Sequence, residues 1–451
     1  MSKSDKQVKQ PKVPKIKYFL AKRPKSDFVG PMQELVGPTK PRIKKEYQIE
    51  RHIIKHTHPK FSVLDEVTFL SKNLYNATLY AVRQQFFADG SFLEYAKVNK
   101  QFTHDRQADY IALPAKVAKH TQQLVDQAYR SFFGLLKTKQ QHPKINAKLP
   151  KYLDKTKGRQ VVHYEKGALS FKKPGFIKLS GLNFYIKTKL IKKQVAFVRL
   201  VPKGNHITVE IGYEHEIPKP KDKAGRIAGL DVGLNNLATL TSNVATPMIV
   251  NGRPLKSINQ FYNKHKAVED SKLDTGQKTS KARKQQLGLV RKNKIADYLH
   301  KSSRHVVNYL VANNIDTLVI GKNIGWKQDI NIGKRNNQNF VAIPFTNFIK
   351  QVMYKAHNVG VEVIYQEESY TSKCSFFDNE AIQKHDNYAG CRVHRGLFKT
   401  ASGKKVNADV NGSLNIIKKH LITQEAWNDQ LRLDLVEASS TPNIPKFTPD
   451  C

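Results

Sequence analysis

The chain has 451 residues, of which 77 are Lys or Arg and 37 are Asp or Glu, giving a formal net charge of +40. Because this charge is spread along the chain and not set beside an apolar anchor, we expect a nucleic-acid partner rather than a membrane surface. No apolar stretch approaches the roughly 18 residues of a membrane span. The three cysteines are too few for a disulfide framework in a chain of this length. Composition therefore predicts a cytoplasmic protein with two or three domains and no membrane contact.

The first half of the chain contains three kinds of pattern. Residues 1–46 are rich in Lys and Pro without periodicity, which predicts a disordered basic arm. A strand-like stretch in 47–62 precedes apolar stripes at helical spacing over 63–145, where Pro114 suits the first turn of a second helix. Residues 160–217 alternate with period two, which predicts a small antiparallel barrel or sheet in a β domain at 146–218. The helical pair is predicted to be inserted between the first strand and the rest.

Strands and helices alternate in the second half of the chain. Three strands, a helix, a strand, a helix and a strand follow one another, which is the order of a ribonuclease-H-like domain. In that fold the central first strand carries a metal-binding acid. The predicted strands lie at about 227–231, 237–241, 247–251, 317–320 and 361–366, and the predicted helical regions at about 259–314, 344–357 and 409–421.

Two aspartates occupy tight, small-residue contexts at the ends of predicted elements. Asp231 ends the first strand of this region, and Asp409 precedes its last helix. Hydrolysis of a phosphodiester by two Mg²⁺ ions needs carboxylate ligands brought together from such positions. Asp231 suits the bridging role and Asp409 a terminal one. The alternatives are a turn-forming aspartate at Asp231 and a helix N-cap at Asp409.

Several motifs together resemble the TnpB family, RNA-guided nucleases of small insertion sequences related to compact type V CRISPR effectors. They include Gly229-Leu-Asp-Val-Gly233, Leu255-Lys-Ser-Ile-Asn-Gln-Phe-Tyr262, Tyr370-Thr-Ser372 and Ala408-Asp-Val-Asn-Gly-Ser-Leu-Asn-Ile416. The resemblance implies a multidomain α+β protein: an antiparallel β wedge barrel with an inserted helical recognition domain, then a ribonuclease-H-like (RuvC) α/β nuclease domain. It also implies a guide RNA transcribed from the element's end, one protein per guide RNA, and cleavage of double-stranded target DNA beside a short motif.

The resemblance also gives the second half of the chain its expected domains. They are a RuvC-like nuclease domain at 219–370, a degenerate zinc-finger or target-loading loop at 371–406, the last RuvC helix at 407–422 and a C-terminal tail at 423–451.

One departure from the family concerns a metal ligand. The family usually carries a glutamate directly after the fourth strand, where this chain has Gly321. The fifth strand ends in Gln366-Glu367-Glu368, and neighbouring strands lie only about 4.8 Å apart. We therefore hypothesise that Glu368, or failing it Glu367, replaces the missing ligand of the two Mg²⁺ ions. The alternative is that both are solvated acids at a strand end.

A second departure concerns zinc, for which the family often carries paired cysteine knuckles. A closed zinc site needs four nitrogen or sulfur ligands. Cys374, Cys391, His394 and His385 are four candidate ligands, but they do not have the spacing of the family's paired cysteine knuckles. We predict a zinc-free loop.

Basic residues of two segments are candidates for contact with the guide–target duplex, which such proteins bind through its shape and phosphates. A solvated helix face or loop is the alternative for both. One segment lies in the long helical region and the other follows the fourth strand: Lys281, Arg283, Lys284, Arg291, Lys292, Lys327, Gln328 and Arg335.

Three other functions stay open at this stage. Gly321 favours a nuclease-dead, RNA-guided repressor, whereas the retained aspartates favour a nuclease. A compact CRISPR effector differs from the leading hypothesis only in its genomic setting. A strand-transferring transposase lacks support from any residue pattern.

Overall fold

A computed structural model describes residues 45–143, 145–220, 222–272, 281–322, 342–440 and 444–450. Two compact units meet in sequence between Glu216 and Ile217. The predicted basic arm falls outside the described residues as far as residue 44. Among the helices that are described, none is long and apolar enough to cross a membrane.

The first unit combines helices with short antiparallel strands. The predicted apolar positions of the two long helices are buried or half-buried, except for Leu135, which is exposed. Pro114 is the N-cap of the second long helix and not part of its first turn. The elements are β1 (Lys45–Lys55), α1 (Phe61–Asp89), α2 (Tyr95–His104), α3 (Ala108–Ile111), α4 (Ala115–Gln141), β2 (Val162–Glu165), β3 (Leu169–Ser170), β4 (Phe176–Leu179), β5 (Tyr185–Lys187), β6 (Val195–Pro202) and β7 (His206–Glu216).

The strands of the first unit form two sheets. One has the order β1-β7-β6-β2 and the other the order β3-β4-β5. All of their pairings are antiparallel. The four helices lie in the chain between β1 and β2, so the helical segment interrupts the larger sheet in sequence, as predicted.

The second unit alternates strands and helices around one mixed sheet. The long basic helical region is two helices in the structure, and it begins at Arg253, earlier than predicted. The elements are β8 (Ile227–Asp231), β9 (Asn236–Ser242), β10 (Met248–Asn251), α5 (Arg253–Ser271), α6 (Lys281–Ala312), β11 (Thr317–Gly321), α7 (Phe345–His357), β12 (Glu362–Gln366), β13 (Cys391–His394), β14 (Leu397–Lys399), β15 (Lys405–Asn407), α8 (Ala408–Thr423), α9 (Asp429–Ala438) and β16 (Lys446–Phe447).

The central sheet has the strand order β12-β11-β8-β9-β10-β16. Strands β12, β11 and β8 are parallel, and β9 is antiparallel to β8. Because side chains alternate along a strand, the sheet has two distinct faces. Ala228 and Leu230 face a core that includes residues of α6 and α7, whereas Ile227 and Val319 pack with α8. Asp231 is four residues from Ile227 on the same strand, so its side chain lies on the α8 face as well.

Helix α8 packs unusually close to this sheet because glycines face it. A Cβ on Gly229 would lie 2.6 Å from the carbonyl oxygen of Ser413. A Cβ on Gly412, from the helix side, would lie 3.2 Å from Asp231 Oδ2. Glycine removes these contacts, so the strand end carrying Asp231 and the first turns of α8 share one small space.

Two segments contain more structure than the sequence predicted. The loop at 371–406 includes the three-stranded sheet β13-β14-β15, and the expected tail at 423–451 includes α9 and β16. Strands of two to four residues are too short to give a period-two signal. Helix α9 owes its place to Leu435, which is buried in the core under α8.

Candidate functional site

Asp231 lies at the carboxyl end of the central strand, half-buried against α8. Its Oδ2 atom faces the position of Gly412, and the backbone N–H of Val232 donates a hydrogen bond to its carboxylate. The side chain is therefore held at the strand end and directed toward the first turns of the last long helix. The turn-forming alternative does not account for this orientation.

Asp409 lies in the first turn of α8, and its proposed role as helix N-cap is wrong. The N-cap is Asn407, whose side-chain oxygen accepts hydrogen bonds from the backbone N–H groups of Asp409 and Val410. The carboxylate of Asp409 instead accepts a hydrogen bond from Asn236 Nδ2, with 2.7 Å between Nδ2 and Oδ2. Asn236 on β9 thus orients Asp409, a positioning contact that the sequence analysis missed.

Glu368 occupies the space that a side chain at position 321 would use. A Cβ on Gly321 would lie 2.8 Å from Glu368 Oε2 and 2.5 Å from Ile416 Cδ1. Gly321 and Gln366 are partners in the parallel pairing of β11 and β12, so the chain leaving β12 needs only two residues to reach this point. The carboxylate sits beside the end of β11, next to the strand that carries Asp231.

Glu367 has different surroundings from its neighbour. It is exposed and forms an ion pair with Lys419, with 2.6 Å between Nζ and Oε2. Its other oxygen accepts hydrogen bonds from the backbone N–H and the hydroxyl of Ser369. These contacts hold the pKa of Glu367 below its usual range even though desolvation acts in the opposite sense. The structure thus pairs Glu367 with a lysine of α8.

The charges of Asp409 and Glu368 both act on Asp231. Burial, then the charge of Asp409, then that of Glu368, raise the pKa of Asp231 to about 8. Burial also raises the pKa of Glu368. Carboxylates crowded in this way are destabilised when ionised, and a hard divalent cation with oxygen ligands would relieve the repulsion. Among the described residues, however, no three His, Cys, Asp or Glu side chains lie close enough to form a ready-made metal cluster.

The loop between β12 and α8 is organised by two other acids. Glu380 accepts hydrogen bonds from the backbone N–H groups of Ser375 and Ala389, at 2.7 and 2.9 Å. Asp378 Oδ2 accepts one from the Ser375 hydroxyl at 2.6 Å and one from the Ala401 N–H at 2.9 Å. Segments that are distant in the loop are thereby joined through carboxylates.

The four candidate zinc ligands named in the sequence do not form a cluster in this loop. Cys374 is buried and Cys391 is exposed. The ring nitrogens of His385 and His394 lie 2.8 and 3.2 Å from the backbone oxygens of Ala381 and Arg395. The zinc-free loop stays a prediction.

The residues predicted to contact nucleic acid are placed unevenly. Arg291 hydrogen-bonds Asn259 at 2.6 Å and the carbonyl of Ala342 at 3.1 Å, so it ties α6 to its neighbours. Arg283 and Lys284 form ion pairs with Glu269 and Asp270 on α5. The remaining predicted residue with a described side chain, Lys292, is exposed. Lys327, Gln328, Arg335 and the side chain of Lys281 lie outside the described part of the chain.

The small polar residues after Asp409 fasten α8 to its surroundings. Asn411 accepts from the N–H of Phe376 and donates to the carbonyl of Cys374, both at 2.9 Å. Asn415 donates to the carbonyls of Thr371 and Cys374, at 2.9 and 2.7 Å. The motif therefore holds the loop in place beside the acids.

Two sequence families match parts of the chain. OrfB_IS605, described as a probable transposase, matches residues 208–327, and the Cas12f1-like TNB domain matches residues 345–416. The chain is also 24% identical over 408 residues to the TnpB-like protein ORF457 of Acidianus two-tailed virus, covering 78% of this chain and 81% of that protein.

A second relative is the CRISPR-associated endodeoxyribonuclease Cas12f2 of Micrarchaeota archaeon (strain CG1_02_47_40). It is 28% identical over 229 residues, covering 47% of this chain and 40% of the relative.

Solved structures give weaker similarity. A complex of Cas12f1 with sgRNA and target DNA matches with a TM-score of 0.34 and 13% identity, covering 82% of this chain and 98% of that one. A ternary complex of CRISPR-Cas12f matches with a TM-score of 0.34 and 11% identity, covering 78% and 80%. Similarity at this level does not assign a fold to the chain.

Proposed function

We propose that this TnpB-like protein is an RNA-guided, Mg²⁺-dependent DNA endonuclease of an insertion-sequence element. Its target would be chosen by pairing with the guide RNA and cut beside a short flanking motif. The second unit would be the ribonuclease-H-like (RuvC) nuclease domain. The first unit would be the wedge domain with its inserted recognition helices. The strand order of the central sheet and the net charge of +40 both support this proposal.

The observation that carries the proposal is the position of Glu368. Its carboxylate fills the space left by Gly321, within reach of the electrostatic field of Asp231. The nuclease-dead alternative rests on Gly321, and a carboxylate beside that position supports a nuclease instead.

Asp231, Glu368 and Asp409 are the residues that would hold Mg²⁺. The bound ions would supply an activated water and stabilise charge on the attacking and leaving oxygens of the phosphodiester. The protein's own contribution is positioning. The close packing of α8 at Gly229 and Gly412 fixes the position of Asp231. Asn236 orients Asp409, and the turn after β12 directs Glu368 toward the position of Gly321.

A compact type V CRISPR effector is the second candidate. The match of residues 345–416 to a Cas12f1-like domain and the similarity to Cas12f2 favour it. The site chemistry would be the same in either case. A repeat array beside the gene would favour the effector, and transposon ends would favour the insertion-sequence nuclease.

Plasmid cleavage tests the proposal. The protein is co-expressed with its native flanking RNA, reprogrammed to a target beside a randomised motif, and assayed with Mg²⁺. Glu368→Gln should reduce the cleavage rate about 100-fold or more, because charge stabilisation by the metal is worth several kcal/mol. Asp231→Ala should also remove cleavage.

Glu367→Gln is the matched control, since it changes the adjacent acid that is paired with Lys419. It should cleave at nearly the wild-type rate. Normal cleavage by Glu368→Gln would refute the relocated ligand. Guide-dependent binding without cleavage by any form, wild type included, would favour the repressor.

A further inference from the structure

A basic cleft of about 750 Å³ lies beside Asp409 in the second unit. Six cationic side chains line it, and Asp409 is the one carboxylate among the described residues of its wall. They come from three separate parts of the chain: the start of α5, the segment from β13 to β15, and the C-terminal strand β16. The cations are Arg253, Arg392, Arg395, Lys404, Lys405 and Lys446.

The C-terminal strand is built into the edge of the nuclease sheet. It pairs in parallel with β10, so that Lys446 is opposite Ile249 and Phe447 opposite Val250. The N–H of Ile249 donates to the carbonyl of Pro445 at 3.0 Å, and Asn251 Nδ2 donates to Thr448 Oγ1 at 3.1 Å. These bonds extend the sheet by one strand and fix its register.

Alternation along β16 decides which face each side chain meets. Phe447 packs on the core that includes α6, where its ring stacks on His305 with centroids 3.6 Å apart. Lys446 must therefore face the other side of the sheet, which is the side of Asp231 and α8. The apolar anchor on one face thus fixes the lysine on the other.

The charges around Lys446 agree with this placement. Burial and the guanidinium of Arg253 lower the pKa of Lys446, whereas the carboxylate of Asp409 raises it. The lysine is thus within electrostatic reach of both groups, yet its side chain remains exposed toward the cleft. A cation held there by the sheet, with other cations beside it, is suited to an anionic ligand.

We propose that the C-terminal strand is a working part of the nuclease site, where Lys446 and Arg253 bind a backbone phosphate of the DNA strand to be cut. This inference rests on the proposed function. The volume of the cleft, about 750 Å³, suits a single strand better than a duplex. The phosphate contact would hold the strand in register beside Asp409, and no covalent step is assigned to the lysine.

Lysine-reactivity footprinting tests occupancy without requiring cleavage. The ribonucleoprotein carrying Asp231→Ala is acetylated with and without its target DNA, and modified lysines are quantified by mass spectrometry. Target DNA should protect Lys446 several-fold and leave Lys350, an exposed lysine of α7, unchanged. Lys446 remaining fully reactive in the DNA complex would overturn the proposal. Protection by guide RNA alone would also overturn it, because RNA would then be the occupant.

Single-turnover cleavage tests the role of the contact. Lys446→Ala should slow cleavage about tenfold at saturating enzyme, which corresponds to about 1.4 kcal/mol, with guided target binding unchanged. Lys446→Arg should recover most of the rate, and Lys350→Ala should cleave like wild type. If Lys446→Arg is as slow as Lys446→Ala, the lysine is only structural and the inference fails. If wild type does not cleave but Lys446 is protected by target DNA, the proposed DNA contact in the cleft is supported and the proposed nuclease function is refuted.

Discussion

Two groups of acids in the second unit have opposite surroundings. Asp378 and Glu380 receive hydrogen bonds from backbone N–H groups at 2.7–2.9 Å, and those bonds hold the loop together. Asp231 and Glu368 are crowded and desolvated, and the pKa of each is raised. The first group is held by hydrogen bonds from backbone N–H groups, whereas burial and neighbouring negative charge disfavour ionisation of the second. Residue type alone therefore does not separate the loop acids from the proposed metal ligands, whereas their surroundings do.

The largest expected effect is on cleavage by the crowded group. Asp231→Asn should lower the cleavage rate by about 10³-fold or more, since on the proposed function it would remove a charged Mg²⁺ ligand. Guided target binding should be retained, which a binding assay on the same preparation checks. Cleavage within tenfold of wild type would contradict the division between the two groups.

The satisfied group should instead control stability. Glu380→Gln weakens two hydrogen bonds to backbone N–H groups and should cost about 1–3 kcal/mol of unfolding free energy. Thermal or denaturant unfolding measures this loss. Glu437→Gln, at an exposed glutamate of α9, is the control and should change stability by no more than about 0.5 kcal/mol. Equal unfolding of both variants would remove the structural role of Glu380.

The raised pKa of Asp231 predicts that Asp231→Asn gains stability and that this gain depends on pH. Asp231 ionises near its usual pKa of about 3.9 when unfolded, but at about 8 in the folded protein. The metal-free protein therefore loses stability as the pH rises from about 4 to about 8. Asp231→Asn lacks this penalty, so its melting temperature should exceed that of wild type most at pH 8. Each kcal/mol should be worth about 2–4 °C, and an advantage that shrinks with rising pH would contradict the assignment.

Gly321→Ala should have an intermediate effect on activity. The added methyl group would meet Glu368 Oε2 and Ile416 Cδ1, so the carboxylate would have to shift. We expect cleavage to fall roughly tenfold, since displaced metal-site groups typically cost about 10–100-fold. Cleavage kinetics compared with Gly288→Ala, a position on α6 with open space around it, measure the effect. Equal rates would mean that Glu368 does not depend on the space beside Gly321.

The smallest expected effect concerns zinc. If carboxylates organise the loop, Cys391→Ser should leave the melting temperature and the cleavage rate unchanged. Metal analysis of purified wild type should find zinc well below one ion per chain. A stoichiometric zinc content that is lost in Cys391→Ser would show that the loop is held by metal after all.

The sequence predicted much of the second unit because its strands are apolar and its helices periodic. It also singled out Asp231 and Asp409, since each lies within a motif of small residues. It could not assign the helix cap, because Asn407 and Asp409 are both good capping residues and only geometry separates them. The sequence analysis preferred Glu368 to Glu367 as the replacement ligand, but the physical reason was not visible in the sequence. Lys419 lies far along the chain and forms an ion pair with Glu367. The two-residue strand β16 was missed because its stability comes entirely from the edge it joins.

The Glu368 carboxylate lies in the space that a side chain at position 321 would fill. This shared space constrains how such a site could change during evolution. A glutamate at both positions would force two carboxylates into the same space, while a glutamate at neither would leave the metal without a ligand. The two positions should therefore covary among relatives, with one acid replacing the other. An alignment column taken alone would score this chain as inactive, whereas on the proposed function the two columns together would describe one carboxylate delivered from either of two adjacent strands.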